Sequence, residues 1–262
     1  MDLMNNQFPT VRAWVINLDR SVQRLEHIRQ RLHELQIPWE RVPAVNGAEL
    51  DLSLDQRLDA AAFGARHGKP PLPGELGCYL SHVKVMNLFL ASSDEYALIL
   101  EDDVELGSSL PAVMDQLVMH PKLWDLIKLS GIHSGHPLRI QTLNDGHHAI
   151  AVSTTSYTGA SCYLVNRRAA AAMLQALLPM KIPYDLAYDR GWEMGIKIRM
   201  VTPAPCNHSF AMGSELHPKG VVRQNFHWTK RLSTYRWRIA NDCRRLLYGL
   251  SEYAKEALSK KL

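Results

Sequence analysis

Five consecutive apolar residues, Tyr96-Ala-Leu-Ile-Leu100, run directly into three carboxylates, Glu101-Asp102-Asp103. A short strand without polar alternation needs cover on both faces, the condition of a central strand in a parallel α/β sheet. The three acids that end it repel one another unless a counter-charge stands nearby. At the carboxyl end of a parallel strand they fall where open α/β sheets bind ligands. If the strand geometry continues, Glu101 and Asp103 face the same way, roughly 6–7 Å apart along the backbone. One hard divalent cation could be held there, with phosphate oxygens completing its shell. The plain alternative is an acidic turn solvated at a strand end.

The flanking sequence supports the same class. Val11-Arg-Ala-Trp-Val-Ile16 reads as a buried first strand. Val22, Leu25, Ile28, Leu32 and Leu35 recur at three and four residues and predict a helix over 20–35, with Asp19 as its N-cap. Residues 39–45 follow as a second strand. Further helices are expected over 54–63, 78–91 and 167–178, strands at 126–129, 161–165 and 196–201, and a hairpin reaching 149–152. The expected fold is therefore α/β, a mostly parallel central sheet flanked by helices.

With 262 residues and 46% hydrophobic content, the chain can bury one large core, so fibrous and disordered classes are excluded. No apolar stretch approaches the roughly 18 residues of a membrane span. The first twenty residues lack a basic segment followed by an apolar one, so a cytoplasmic location is expected. The four cysteines, Cys78, Cys162, Cys206 and Cys243, show no zinc-like spacing and read as reduced thiols. Charge is divided unevenly: residues 223–262 carry +7 and residues 1–222 carry −3. We therefore divide the chain into a body, 1–222, and a basic helical extension, 223–262. The tail mixes Arg231, Tyr235, Trp237, Arg238, Ile239 and Leu246, a composition suited to peripheral contact with an anionic bilayer or to packing on the body. The mildly acidic body argues against nucleic acid as a partner.

Three other segments carry chemistry. A helix's first turn normally favours acids, yet Arg20 and Arg24 stand where that turn is expected, which suits a docked phosphate as well as a solvated surface. A glycine-rich turn, Pro73-Gly-Glu-Leu-Gly77, is expected to lead into a helix with Ser81 and His82 in its early turns. Asp185 and Asp189 lie four apart, so on a helix they share a face, and either could serve as a general base.

Taken in order, these segments resemble glycosyltransferase family 25, the group that includes bacterial lipooligosaccharide galactosyltransferases and collagen galactosyltransferases. The resemblance rests on Val15-Ile-Asn-Leu-Asp-Arg20 with Arg24, Gly74-Glu-Leu-Gly-Cys78 with Ser81-His82, and Leu98-Ile-Leu-Glu-Asp-Asp-Val104. It continues through Gly159-Ala-Ser-Cys-Tyr163 with Asn166-Arg167, and Pro183-Tyr-Asp185. It implies a GT-A-like fold, a UDP-sugar donor (usually UDP-galactose), Mn2+ or Mg2+, and transfer with inversion to a glycolipid or oligosaccharide acceptor of lipopolysaccharide type. On the same basis Asp103 and Glu101 are metal ligands, with His208 as a third. Asn17, Asp19, Arg20, Arg24 and Asp102 line the nucleotide side, Glu75, Ser81 and His82 lie near the donor, and Asp185 is the candidate base. The competing classes are a basic-tailed membrane- or nucleic-acid-binding protein without catalysis, and a metal-dependent phosphohydrolase. The sequence shows no second acidic cluster dense enough for a two-metal site.

Overall fold

The computed structural model describes residues 11–132, 136–208 and 226–260. The body–extension boundary at 222/223, the first ten residues, and 133–135 of the Gly/His loop lie outside them. In chain order the elements are β1 (Val11–Asn17), α1 (Val22–Glu34), β2 (Trp39–Pro43), α2 (Ala60–His67), α3 (Pro73–Ala91), β3 (Tyr96–Glu101), β4 (Val104–Leu106) and α4 (Leu110–Val118). Then come β5 (Leu126–Lys128), β6 (Pro137–Thr142), β7 (Ala149–Ser153), β8 (Cys162–Asn166), α5 (Arg167–Ala176), α6 (Tyr184–Ala187), α7 (Gly191–Met194), β9 (Ile198–Thr202), β10 (Cys206–His208) and α8 (Leu232–Ser259).

Eight strands form one sheet in the order β2-β1-β3-β8-β5-β9-β7-β6, and β10 pairs with β4 in a small second sheet. β1 is parallel to β2 and to β3. β8 runs antiparallel to both of its neighbours, β3 and β5, so the sheet is mixed beyond the site-bearing edge. The continuous apolar run is buried on both faces as its composition requires. Ala97 and Ile99 join the core cluster of Phe63, Tyr79, Met86 and Tyr163, while Leu98 and Leu100 join Ile28, Leu117 and Leu164 on the other side. The α/β class, with helices around a central sheet, is thus the observed one and is consistent with the GT-A-like fold expected.

Several boundaries differ from the periodicity, each for a local reason. α1 begins at Val22 behind Ser21, not behind Asp19. Asp19 is drawn away by an ion pair with Arg41, and the Asn17 side-chain amide donates to Ser21 O at 3.0 Å, shaping the entry turn. Arg20 therefore precedes the helix, Arg24 alone lies in its first turn, and Val22 points to solvent. The helix expected over 54–63 is replaced by turns and α2. Asp51 and Asp55 accept backbone N–H groups two residues on, at 2.9 Å each, local bonds that compete with helix formation. Asp59 caps α2 by accepting from Ala62 N–H at 2.9 Å.

α3 starts at Pro73, five residues before the expected 78. Proline at the first helical position loses no hydrogen bond, and the Glu75 carboxylate accepts from Leu72 N–H at 3.0 Å. Gly74 and Gly77 are thus helical, and Ser81 and His82 lie in the third turn. Gly77 serves close packing: a Cβ there would stand 2.7 Å from both Val45 O and Gly47 N.

The tail is helical as expected and packs on the body. The Tyr248 hydroxyl donates to Ile196 O at 2.8 Å and accepts from Ile198 N–H at 2.9 Å. Arg199, buried in β9, pairs with Glu252 at 2.8 Å and Glu256 at 3.2 Å. No helix among the described residues is long and apolar enough to cross a membrane.

Candidate functional site

Parallel pairing of β1 and β3 sets Ile16 opposite Glu101, so Asn17 and the acidic triplet emerge side by side. The Asn17 side-chain amide donates to Asp102 Oδ2 at 2.7 Å, and its carbonyl oxygen accepts from Arg41 Nε at 2.9 Å. Arg24 reaches down from α1, 3.2 Å from Asp102 Oδ1 and 3.7 Å from Asp103 Oδ2. Asp102 is therefore the neutralised member of the triplet. Asp103 is buried, and its Oδ1 has no hydrogen-bond partner among the described residues. Burial first, then the charges of Glu101 and Asp102, push its carboxyl up to about 7, against the opposing pull of Arg24.

Glu101 is held from the α3 side. His82 Nε2 lies 3.2 Å from Glu101 Oε1, and His82 Nδ1 lies 3.0 Å from the Tyr163 hydroxyl. A carboxylate only accepts, so the network assigns the proton to Nε2 and makes Nδ1 the acceptor of the tyrosine O–H. The Tyr184 hydroxyl then donates to Tyr163 at 2.8 Å, and its ring stacks on His82 with centroids 4.0 Å apart. The Cys78 thiol donates to Glu101 Oε1 at 3.6 Å.

Donor atoms of Cys78, His82 and Glu101 fall within 4.8 Å of one another. Burial pushes the Cys78 thiol well up, and the carboxylate charges push it further, so it stays protonated near neutral pH. A protonated thiol is no ligand for a hard cation, which takes oxygen. The residues that fit Mn2+ or Mg2+ are Asp103, whose buried Oδ1 is orphaned, and Glu101. Cys78 and His82 fix the direction of Glu101. The backbone of His208 pairs opposite Val104, the residue after Asp103, while its side chain, expected as a metal ligand, lies outside the described part of the structure.

The two later aspartates separate clearly. Asp189 is buried with both carboxylate oxygens taken, by Lys128 Nζ at 2.7 Å and by Arg245 of α8. Asp185 keeps solvent access, accepts backbone N–H bonds from Gly159 and Leu186, and has its carboxyl raised above the usual range mainly by burial. The charges of Glu101, Asp185 and Asp103 all bear on the Cys78 thiol, which brings the three into one neighbourhood.

Other expected residues sit close by with structural partners. Arg20 donates to Asn46 Oδ1 at 3.2 Å. Ser81 accepts from Val45 N–H at 2.8 Å and donates to Gly77 O at 2.7 Å, fastening α3 to the strand-end loop. Glu75 caps α3. The hydrogen bonds of Tyr163 and Tyr184 and the ion pair of Lys128 are not legible in the sequence; the sequence marks Tyr184 only as a position that could touch an acceptor. For Lys128 a signal existed: a lysine inside the apolar run Leu126-Ile-Lys-Leu129 is buried only with a partner.

Residues 11–188 match the sequence profile of glycosyltransferase family 25 (LPS biosynthesis protein). Procollagen galactosyltransferase 1-B of Xenopus laevis is 28% identical over 191 residues, 68% of this chain and 31% of that protein. The human protein named inactive glycosyltransferase 25 family member 3 is 30% identical over 183 residues, 66% of this chain and 30% of that protein. The chain thus spans about a third or less of the length of the curated relatives it matches. Among solved structures, the crystal structure of A197 from STIV aligns with a TM-score of 0.39 and 9% identity, covering 72% of this chain and 80% of that one. The profile match spans more than half of the sequence and takes in every acid of the candidate site: this chain belongs to glycosyltransferase family 25.

Proposed function

We propose that this chain is an inverting glycosyltransferase that moves a sugar, galactose in our reading, from a UDP-sugar to a hydroxyl of a lipooligosaccharide- or lipopolysaccharide-type glycan. Its catalytic body is residues 1–222, its basic extension 223–262, and its place of action the cytoplasm. One observation carries the reading: the buried Asp103 Oδ1, without a hydrogen-bond partner among the described residues, stands beside Glu101 at the carboxyl end of β3, with Asp185 in the same neighbourhood. Family membership alone would not suffice, since the names of two relatives contain the word inactive.

Asp103 and Glu101 would hold a divalent cation, Mn2+ or Mg2+, with His208 as the further candidate ligand. A cation held there would supply charge neutralisation for the diphosphate of the departing UDP. Arg24 and Asn17 hold Asp102 in place, and Arg24 adds positive charge at the phosphate side of the site. Tyr184, Tyr163 and His82 form a buried relay of hydrogen bonds whose last member orients Glu101. Asp185 accepts the proton of the acceptor hydroxyl, which attacks from the face opposite the leaving group. Its raised pKa makes it a stronger base than a solvated aspartate. Asp189 has no free oxygen with which to compete. Inversion in one displacement needs no covalent enzyme intermediate.

A donor screen tests this. The full chain is incubated with lipooligosaccharide, Mn2+ and each of several UDP-sugars, UDP release is read, and the product is weighed by mass spectrometry. UDP-galactose should support release and add one hexose to the acceptor. No release with any UDP-sugar overturns the reading.

A further inference from the structure

α8 is turned inside out. Its buried positions are polar or small: Thr234, Asn241, Arg245, Gly249, Glu252 and Glu256. Its aliphatic residues face solvent instead, with Ile239 66% and Leu247 67% exposed, and Leu232, Leu246, Leu250 and Leu258 likewise open. Leu232, Tyr235, Ile239, Leu246, Leu250 and Tyr253 are spaced by threes, fours and one seven, so they align as one stripe along a helix about 42 Å long. A helix that merely covered the body would bury this side.

The inward face explains why it does not. Arg199 takes Glu252 and Glu256, Lys197 pairs with Glu256 at 3.0 Å, Arg190 donates to Asn241 Oδ1 at 2.7 Å, and Arg245 meets Asp189. Those contacts fix the helix's rotation and consume its two glutamates. The charges on its exposed side are Arg236, Arg244, Arg238, which donates to His67 O at 3.2 Å, and Lys255, which also pairs with Glu252 at 2.7 Å, against Asp242 alone.

We propose that this outward face of α8 docks on an anionic lipid bilayer, with the apolar stripe entering the headgroup boundary and the cations meeting lipid phosphates. Basic residues beside an apolar stripe are the pattern of an interfacial helix, and each cation near an anionic surface adds to the attraction. A second copy of the chain is the less suited partner, because it would bring the same excess of positive charge against itself. The proposal does not rest on the transfer reaction, since its readout is partitioning.

The test is co-sedimentation of the full chain with phosphatidylcholine vesicles made with and without phosphatidylglycerol. Pelleting is expected with the anionic vesicles and should weaken as salt rises. Ile239→Glu combined with Leu246→Glu should abolish it, with the circular dichroism spectrum unchanged because both positions are exposed. Arg236→Gln with Arg244→Gln, which leaves the stripe intact, should weaken partitioning roughly 30-fold. Three results overturn the proposal: no pelleting with anionic vesicles, equal pelleting with pure phosphatidylcholine, or a lipid-free dimer in sedimentation velocity that Leu246→Glu dissolves.

Discussion

Lys128 Nζ stands 2.7 Å from Asp189 Oδ1 deep beside the sheet, and Arg245 of α8 takes the other oxygen of the same carboxylate. Burial lowers the lysine's pKa, and Asp189 holds it up. This arrangement ties down Asp189 and leaves Asp185, four residues earlier, outside the pairing. Asp189→Asn would leave Lys128 and Arg245 buried without their counter-charge, so it should cost about 3–5 kcal/mol in a denaturant titration. Asp185→Asn keeps an oxygen for the Gly159 and Leu186 N–H groups. It should melt within a few degrees of the parent yet lose at least about 100-fold in turnover. Near-normal turnover in that variant would place the base elsewhere.

Asp103 makes the protein's stability depend on pH. Its carboxyl titrates near 7 in the fold against 3.8 when unperturbed. Between about 4 and 7 the folded state therefore holds more protons than the unfolded one, and stability falls as pH rises through that window. Asp103→Asn removes the charge. In metal-free buffer it should raise the melting temperature at pH 8, by a stabilisation on the order of 1–3 kcal/mol, and change little at pH 4. The same variant should lose transfer and metal-dependent UDP binding. A melting curve unshifted at pH 8 would count against a strained carboxylate.

Arg24 lies between Asp102 and Asp103, at the positive pole of α1. On the proposed function, replacing it by Gln removes a charge-assisted contact for the donor's diphosphate, so calorimetric titration with UDP should show about 10- to 100-fold weaker binding. Unchanged affinity would move the phosphates away from this helix.

Gly77 lets α3 press against the backbone of the loop after β2. An added methyl would meet Val45 O and Gly47 N, both backbone atoms that cannot rotate aside. Gly77→Ala should therefore destabilise the fold by about 1–3 kcal/mol in urea. It should also loosen the Ser81 bond to Val45 N–H, read as faster amide exchange at Val45.

The local signals were legible where they depend on neighbours in sequence. The apolar run ending in acids announced a two-face-buried strand, because burial on both sides is written directly in composition. The spacing of Ile28 and Leu32 announced α1, and the order of motifs matched the family that the profile comparison shows. Boundaries were less legible, since Asp19 satisfies a general capping preference but is claimed by Arg41 from another strand.

The sequence by itself determined the α/β class, the placement of three acids at a strand end, and a basic, helical tail. Only the tertiary structure decided which acid is neutralised, which keeps a buried oxygen without a hydrogen bond among the described residues, and which later aspartate is tied down. It also decided which face of α8 turns inward. These outcomes depend on ion pairs across dozens of residues, Arg24 with Asp102, Lys128 with Asp189, Arg199 with Glu252. A charge's preferred partner is set by distance and desolvation in the folded chain, neither of which periodicity records.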